Sequence, residues 1–338
     1  MTNQKKPKGI PLVWGKYVAL FMVCFGMCLL DAGCSPMNTP DFRDVMTACR
    51  NRTRKQQAIC RGMDWLFKNP VDIHREGFME LGEEINLFYM FYLNAGSAGE
   101  KEFYRSAIRS RIERLLREHD LRVNHFEEIL GYLYFVHIMN RMGISNERYE
   151  DFVETEVLPN GMMHHGQSNT FMLLSSAMIE GLGRSPQVPF QRLLDQGIIA
   201  RLSPRPDLVP IDKVYVTSAD IQNFYYDVTH EIFAMSNYGE RDPSTCLLDH
   251  ELQFLKGIIP RGMARFVEEG EVDIVAELIV CARMIGCTDF HGFEDAVLFI
   301  LDAQKDDGSF GPIRRMSFLG RPNIYRHGVL VALWALVE

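Results

Sequence analysis

Val272-Asp273-Ile274-Val275-Ala276-Glu277-Leu278-Ile279 lies in a stretch of helical spacing that is apolar on nearly every side. A helix without a polar face is buried all round, since any side turned to water would expose apolar surface. Ile85 to Leu93, Ile129 to Met139, Phe171 to Ile179 and Val329 to Val337 have the same character, and the helix over 217–237 joins them. Between them lie helices with clear charged faces, such as Glu102 to Glu118 and Glu147 to Glu156. Recurrence of apolar residues at three and four predicts helices near 55–68, 82–96, 101–118, 123–142, 146–157 and 168–183. It predicts others near 189–199, 217–237, 244–258, 268–285, 290–304 and 324–337. Gly, Pro and Asx residues mark most joints, among them Asn69-Pro70, Gly183 and Gly257. Six buried helices alternating with six more exposed ones describe two concentric rings. The expected fold is therefore all-α, an (α/α)6 barrel of about twelve helices with a pocket at one end.

The composition agrees with one large globular domain. The chain has 338 residues, of which 47% are hydrophobic and 24% charged. Its formal charge of -8 is the wrong sign for a nucleic-acid groove, so no nucleic-acid partner is expected. No phosphate-cradling glycine loop, nucleophile elbow or His-Glu-x-x-His helix is present.

The first segment is different in kind. Lys5, Lys6, Lys8 and Lys16 precede an apolar run from Tyr17 to Leu30, too short at about 21 Å for a bilayer core. A basic end, a short apolar run and small residues after it have the form of a secretory signal. Leu30-Asp31-Ala32-Gly33-Cys34 resembles the lipobox of bacterial lipoproteins, which implies lipidation at Cys34. The alternative is an uncleaved anchor. Either reading divides the chain into a signal peptide or anchor over 1–33, a linker over 34–53 and a barrel domain over 54–338. Either places that domain in the bacterial cell envelope, held to a membrane. Five further cysteines make no disulfide scaffold, though Cys49 with Cys60 and Cys281 with Cys287 are spaced to bridge.

Leu301-Asp302-Ala303-Gln304-Lys305-Asp306-Asp307-Gly308-Ser309-Phe310-Gly311 resembles the Gln-x-x-Asp-Gly-Ser-Trp/Phe-Gly repeat of triterpene cyclases and protein prenyltransferase beta subunits. Gly62-x-x-Trp65-Leu66 is a second, shorter echo of those toroids. The resemblance implies a structural role for the repeat: the glutamine closes a helix end, Asp-Gly turns, and the aromatic packs on the next helix. It also implies a metal role for His327, since Tyr325-Arg326-His327 opens the last helix where the prenyltransferases carry Tyr-His. This chain lacks the cyclases' Asp-x-Asp-Asp and the prenyltransferases' Asp-x-Cys, so neither activity is expected of it.

Ionisable residues inside apolar helices are the site candidates, because a buried charge must be paired or working. Helix 217–237 carries Asp227, His230 and Glu231, helix 268–285 carries Asp273 and Glu277, and His327 opens the last helix. The histidines and carboxylates together suit a divalent metal, zinc first and then manganese or iron. The four carboxylates suit acid–base chemistry equally well. Tyr225, Tyr226, His125 and Arg326 are the candidate substrate contacts, within an aromatic wall that includes Tyr134 and Trp334. Three readings stay open: a metal-dependent enzyme on an envelope-associated lipid, isoprenoid or peptide; a carbohydrate-active hydrolase or lyase; and a ligand-binding or scaffolding lipoprotein. The first predicts that His230 and His327 share one coordination sphere, and the last predicts an arginine answering each buried carboxylate.

Overall fold

The computed structural model describes residues 53–72, 78–96, 98–118, 121–123, 126–160, 169–204, 218–311 and 324–337. The described chain is all-α, and its one strand-like pairing is a single bridge between Gln304 and Phe310. Cys34, His125, the His164-His165 pair, Arg314, Arg315 and Arg321 lie outside the described residues, as does the leader. Among the described residues no helix is long and apolar enough to cross a membrane.

In chain order the helices are α1 (Arg54–Lys68), α2 (Phe78–Asn94), α3 (Ala98–Glu118), α4 (Phe126–Met142) and α5 (Glu147–Phe152). A π-turn, Val153–Val157, extends α5. There follow α6 (Asn169–Gly181), α7 (Phe190–Leu194), α8 (Ile198–Leu202), α9 (Ser218–Ser236) and α10 (Asp249–Glu269). The last three are α11 (Val272–Met284), α12 (Phe293–Asp302) and α13 (Ile324–Val337). Neighbours follow a circuit: α2 packs on α4, α4 on α6, α6 on α9, α9 on α11, α11 on α13, and α13 returns to α2. These are the helices whose sequences are apolar all round. In α11 every residue from Val272 to Ala282 is buried, Asp273 and Glu277 included. Other helices pack against members of this circuit: α3 on α2, the α5 extension on α4, α7 on α6, α10 on α11, and α1 on α13.

Two boundaries differ from the sequence expectation. The helix expected over 189–199 is two short ones, α7 and α8, separated at Asp195-Gln196-Gly197. The helix expected near 244–258 instead spans Asp249–Glu269, running through Gly257 and Pro260. Phe254, Leu255, Ile258, Ile259, Met263 and Phe266 form one buried stripe along it. Burial worth roughly 1.5–3 kcal/mol for each such side chain outweighs the roughly 3 kcal/mol that an interior proline costs.

The Gln304–Gly311 turn ties the end of the chain to its start. Gln304 Nε2 donates to Ala58 O of α1 at 2.8 Å and to Gly308 O at 3.1 Å. Asp307 Oδ1 accepts from Ser309 N at 2.9 Å and Ser309 Oγ at 2.6 Å, and Phe310 is buried. Gly308 has φ +94°, and a Cβ there would stand 2.2 Å from Arg61 O. Both features demand glycine: a side chain would be strained in that conformation and would strike backbone.

Cysteine chemistry differs from one of the expected bridges. Cys60 is disulfide-bonded, with its partner outside the described residues. Cys281 and Cys287 do not bridge, because Cys281 is turned into the core against Thr229 O.

Gly308→Ala should lower unfolding free energy by about 2–4 kcal/mol, from strain plus displacement of α1. Gly143→Ala, also at positive φ but with nothing within 4 Å of its Cβ, should cost about 1 kcal/mol. Urea titrations of the two variants check the difference.

Candidate metal centre

A cavity of about 110 Å³ lies inside the circuit and takes lining residues from all six of its helices. Glu83 of α2, His230 of α9, Glu277 of α11 and His327 of α13 form its polar part. Tyr134, Phe233, Tyr238 and Trp334 form its aromatic wall, with Phe233 stacked on Trp334 at 4.9 Å between ring centres.

Helical spacing explains which residues reach it. In α9, Tyr226, His230 and Phe233 recur at four and three and share one face. Tyr225 and Glu231 each stand about 100° round the helix from the neighbours that face inward, so they meet the outer helices instead. In α11, Asp273 and Glu277 are one turn apart and both point inward. His327 lies in the first turn of α13.

The two imidazoles are held alike. His230 Nδ1 lies 2.7 Å from Tyr226 O, a backbone carbonyl that can only accept, so this nitrogen carries the proton. His327 Nδ1 lies 2.6 Å from Asp273 Oδ1, and Tyr226 Oη donates to the other oxygen of the same carboxylate at 2.6 Å. Each histidine is therefore fixed through Nδ1, leaving Nε2 as the free position. Metal-binding histidines are oriented in this way, by a carbonyl or carboxylate behind the ring. Glu277 meets different nitrogens of the two rings: Oε1 is 3.9 Å from His327 Nε2, while Oε2 is 4.0 Å from His230 Nδ1, the nitrogen already bonded to Tyr226 O, so His230 stands beside the ligand group that the other three residues form and not within it. Thr229 Oγ1 donates to Glu277 Oε2 at 2.5 Å. One ligand atom each from Asp273, Glu277 and His327 lies within 4.8 Å of the others. About a third of each imidazole side chain remains accessible, whereas Asp273 and Glu277 are buried.

Burial favours neutral groups here, and the charges oppose it unequally. Desolvation works to raise Asp273, but the His327 imidazole and the hydrogen bonds from His327 and Tyr226 bring it below the usual carboxylate range. Desolvation raises Glu277, and the Asp273 charge adds to that against the pull of His230 and His327. Glu83 is also raised by burial. For His327 burial favours the neutral ring, yet the carboxylates of Asp273, Glu83 and Glu277 together hold its pKa well above the ordinary value. The site is thus a proton-sharing cluster of acids and imidazoles.

The other candidate residues have structural work. Glu231 Oε1 and Oε2 accept from Ile198 N at 2.5 Å and Ile199 N at 3.1 Å, so this carboxylate caps the start of α8 rather than facing the cavity. Asp227 accepts from Thr170 Oγ1 at 2.8 Å, joining α6 to α9. Tyr225 donates to Ile258 O at 3.2 Å and lies against Gly262 of α10, where a Cβ would meet its ring at 2.4 Å. Arg326 is no substrate rim: it is buried, donates to Glu84 Oε2 at 2.7 Å and to Asn69 O, and lies over the Trp65 ring. Arg111 holds the other oxygen of Glu84. Arg283 donates to Ala335 O. Of the expected aromatic wall, Tyr134 and Trp334 line the cavity, while Tyr89 is tied to Glu240 and Tyr132 to Arg122 O.

Glu83, Phe233 and Tyr238 are cavity residues that the sequence reading did not single out. Glu83 precedes the apolar run of α2 and shares its face with Asn86 and Leu87, spacing that would have marked it. Phe233 reads as ordinary core. Tyr238 follows α9 at φ +54°, and no helical period reaches it.

Residues 75–321 match the model of a family described as a domain of unknown function, DUF6895. No curated protein and no solved structure matches the chain.

Arg326→Ala should cost about 3–5 kcal/mol, because it leaves the buried Glu84 one cation short; chemical denaturation measures it. Glu231 gives a pH signature. Burial raises its pKa from 4.5 to about 7 against the amides of Ile198 and Ile199, so the folded state holds a proton that the unfolded chain releases in that window. Stability therefore falls as pH rises between those values. From about pH 5 to about pH 7.5, the wild type should lose about 2 kcal/mol more than Glu231→Gln in paired unfolding curves.

Proposed function

The chain belongs to the DUF6895 family, and we propose for it a metal-dependent enzyme whose ion sits among His230, Glu277 and His327. One observation carries the reading. Two histidines from different helices are pinned through Nδ1 beside a shared buried carboxylate, in a cavity that opens to neither lysine nor arginine among the described residues. Asp273 then acts behind His327 as its orienting partner, and Glu83 supplies a further oxygen or a proton. Nitrogen and oxygen donors in this number suit zinc, with manganese or iron as the other candidates. A bound divalent ion supplies Lewis acidity and lowers the pKa of water in such a setting. The chain's own residues would orient the imidazoles, exclude bulk water through the aromatic wall and hold a mobile proton on Glu277.

The circuit of six helices inside a second layer supports reading the fold as an (α/α)6 barrel, the toroid expected from the Gln304–Gly311 repeat. The lipobox-like junction at Cys34 supports a lipoprotein placed in the cell envelope, with an envelope-associated substrate presenting its reacting end to the cavity. The binding-only alternative called for arginines answering the central carboxylates, and imidazoles stand there instead.

Elemental analysis of the full-length chain, purified without chelator, tests the reading. About one equivalent of zinc, manganese or iron is expected, with loss of the metal in the His230→Ala, His327→Ala double variant. Asp273→Asn should weaken affinity about 10- to 100-fold while leaving the ligands in place. A metal-free wild type that takes up none of the three ions on equilibration removes the proposal and leaves acid–base chemistry by Glu277 as the stronger reading.

A further inference from the structure

Asn86 of α2 stands in the cavity wall, three residues after Glu83 and on the same helix face. It is 8% exposed, within the apolar run from Ile85 to Leu93. Its amide makes no hydrogen bond among the described residues, whereas Asn69, Asn94 and Asn237 each donate from theirs. The Tyr134 hydroxyl is sealed into the wall; the Asn86 amide is not, and it meets the free space of the cavity. A buried amide without partners is a net cost to folding. Leucine at this position would line the wall without that cost and would favour the helix more. The amide thus has no structural partner among the described residues, and a ligand is what would answer it.

The chemistry of the amide says which ligand. Asn86 offers one acceptor and one N–H₂, so it is answered in full by a group that brings a donor and an acceptor together. A ketone or a carboxylate leaves Asn86 Oδ1 without a donor. An amide supplies both from neighbouring atoms, spaced as those of Asn86 are. It is also neutral, so its fit does not depend on the balance of charge among the acids, the imidazoles and an ion. Glu83 lines the cavity as well and makes no hydrogen bond among the described residues, leaving an oxygen open to a second N–H of the same group. The volume sets the size. At the packing density of protein interiors, about 110 Å³ holds about five non-hydrogen atoms, less than a lipid tail or a sugar ring with its substituents.

We propose that the cavity binds one small primary amide, or an amide-bearing end of that size, with its N–H donating to Asn86 Oδ1 and its oxygen accepting from Asn86 Nδ2. The inference rests on the preceding reading only in taking this cavity as the working site. Asn86 is not among the residues assigned to the ion, so the two can fail separately.

Ligand-observed NMR titrations of the full-length chain test it with three isosteric probes: acetamide, acetone and acetate. Each is measured on chelator-treated and on zinc-equilibrated protein. Acetamide should bind saturably and about fivefold or more tighter than acetone, the value of one net hydrogen bond. Asn86→Leu should bring that ratio to about one, with the unfolding midpoint unchanged or raised because no structural partner is lost. The proposal is overturned by absence of saturable acetamide binding in both preparations, by acetone or acetate matching acetamide on the chelator-treated protein, or by an Asn86→Leu variant that keeps the amide preference. The probe ratios on the wild type decide the matter even where the variant does not fold. Amide preference in a protein that takes up no metal would uphold this inference and remove the metal centre. Metal uptake without amide preference would do the reverse.

Discussion

Removing a carboxylate from water costs several kcal/mol unless something inside the protein replaces the water, and α11 buries two of them a single turn apart. Elsewhere in this molecule the replacement is structural. Glu84 has Arg111 and Arg326, Glu231 has the first amides of α8, and Glu240 has His137, Arg141 and Tyr89. Each of those acids closes a joint between helices. Asp273 and Glu277 are answered instead by imidazoles, a phenol and a threonine hydroxyl. Imidazole can give up its proton and accept a metal, which guanidinium never does. At the centre of the molecule, as at His137 and Glu240, an acid meets a partner able to change state, and only at the centre do two buried carboxylates one turn apart share such partners among the described residues.

The architecture delivers those partners from four separate helices. Helix α2 contributes Glu83 and Asn86 to the cavity and α9, α11 and α13 one ionisable residue each, and each helix is otherwise apolar enough to be surrounded by its neighbours. The joint between α12 and α1 lies far along the chain from this chemistry, yet it supports it. Gln304 bonds to Ala58, α1 packs on α13, and α13 carries His327. Arg326, one residue before His327, anchors the start of the same helix to Glu84 and to the end of α1. A structural salt bridge and an ionisable imidazole thus stand side by side, about 100° apart on one helical turn.

Much of this was legible in the sequence, for a simple physical reason. Helices apolar on all sides leave no doubt about burial, and the helices marked in that way are the ones that form the circuit. His230, Asp273, Glu277 and His327 stood out because an ionisable group in such a helix needs an explanation. What sequence could not supply was rotation about the helix axis. Glu231 adjoins His230 but stands about 100° away, so it caps α8 while its neighbour faces the cavity. Tyr225 and Tyr226 part in the same way. Arg326 read as a positive rim because its partner Glu84 is distant in the chain, and Tyr238 escaped notice because its position depends on a left-handed turn after α9. Gly257 marked a joint by local rules, yet the buried stripe of α10 carried the helix past it.

The central claim is that the buried carboxylates of α11 and the two pinned imidazoles form one metal centre. Crystals of the full-length chain equilibrated with zinc, measured either side of the zinc absorption edge, test it most directly. The account predicts a single strong anomalous peak within bonding distance of His230 Nε2, His327 Nε2 and a Glu277 oxygen, at about 2.0–2.2 Å from each. A zinc peak elsewhere with this position empty, or His327 still hydrogen-bonded to Asp273 with no ion on its free nitrogen, would contradict it.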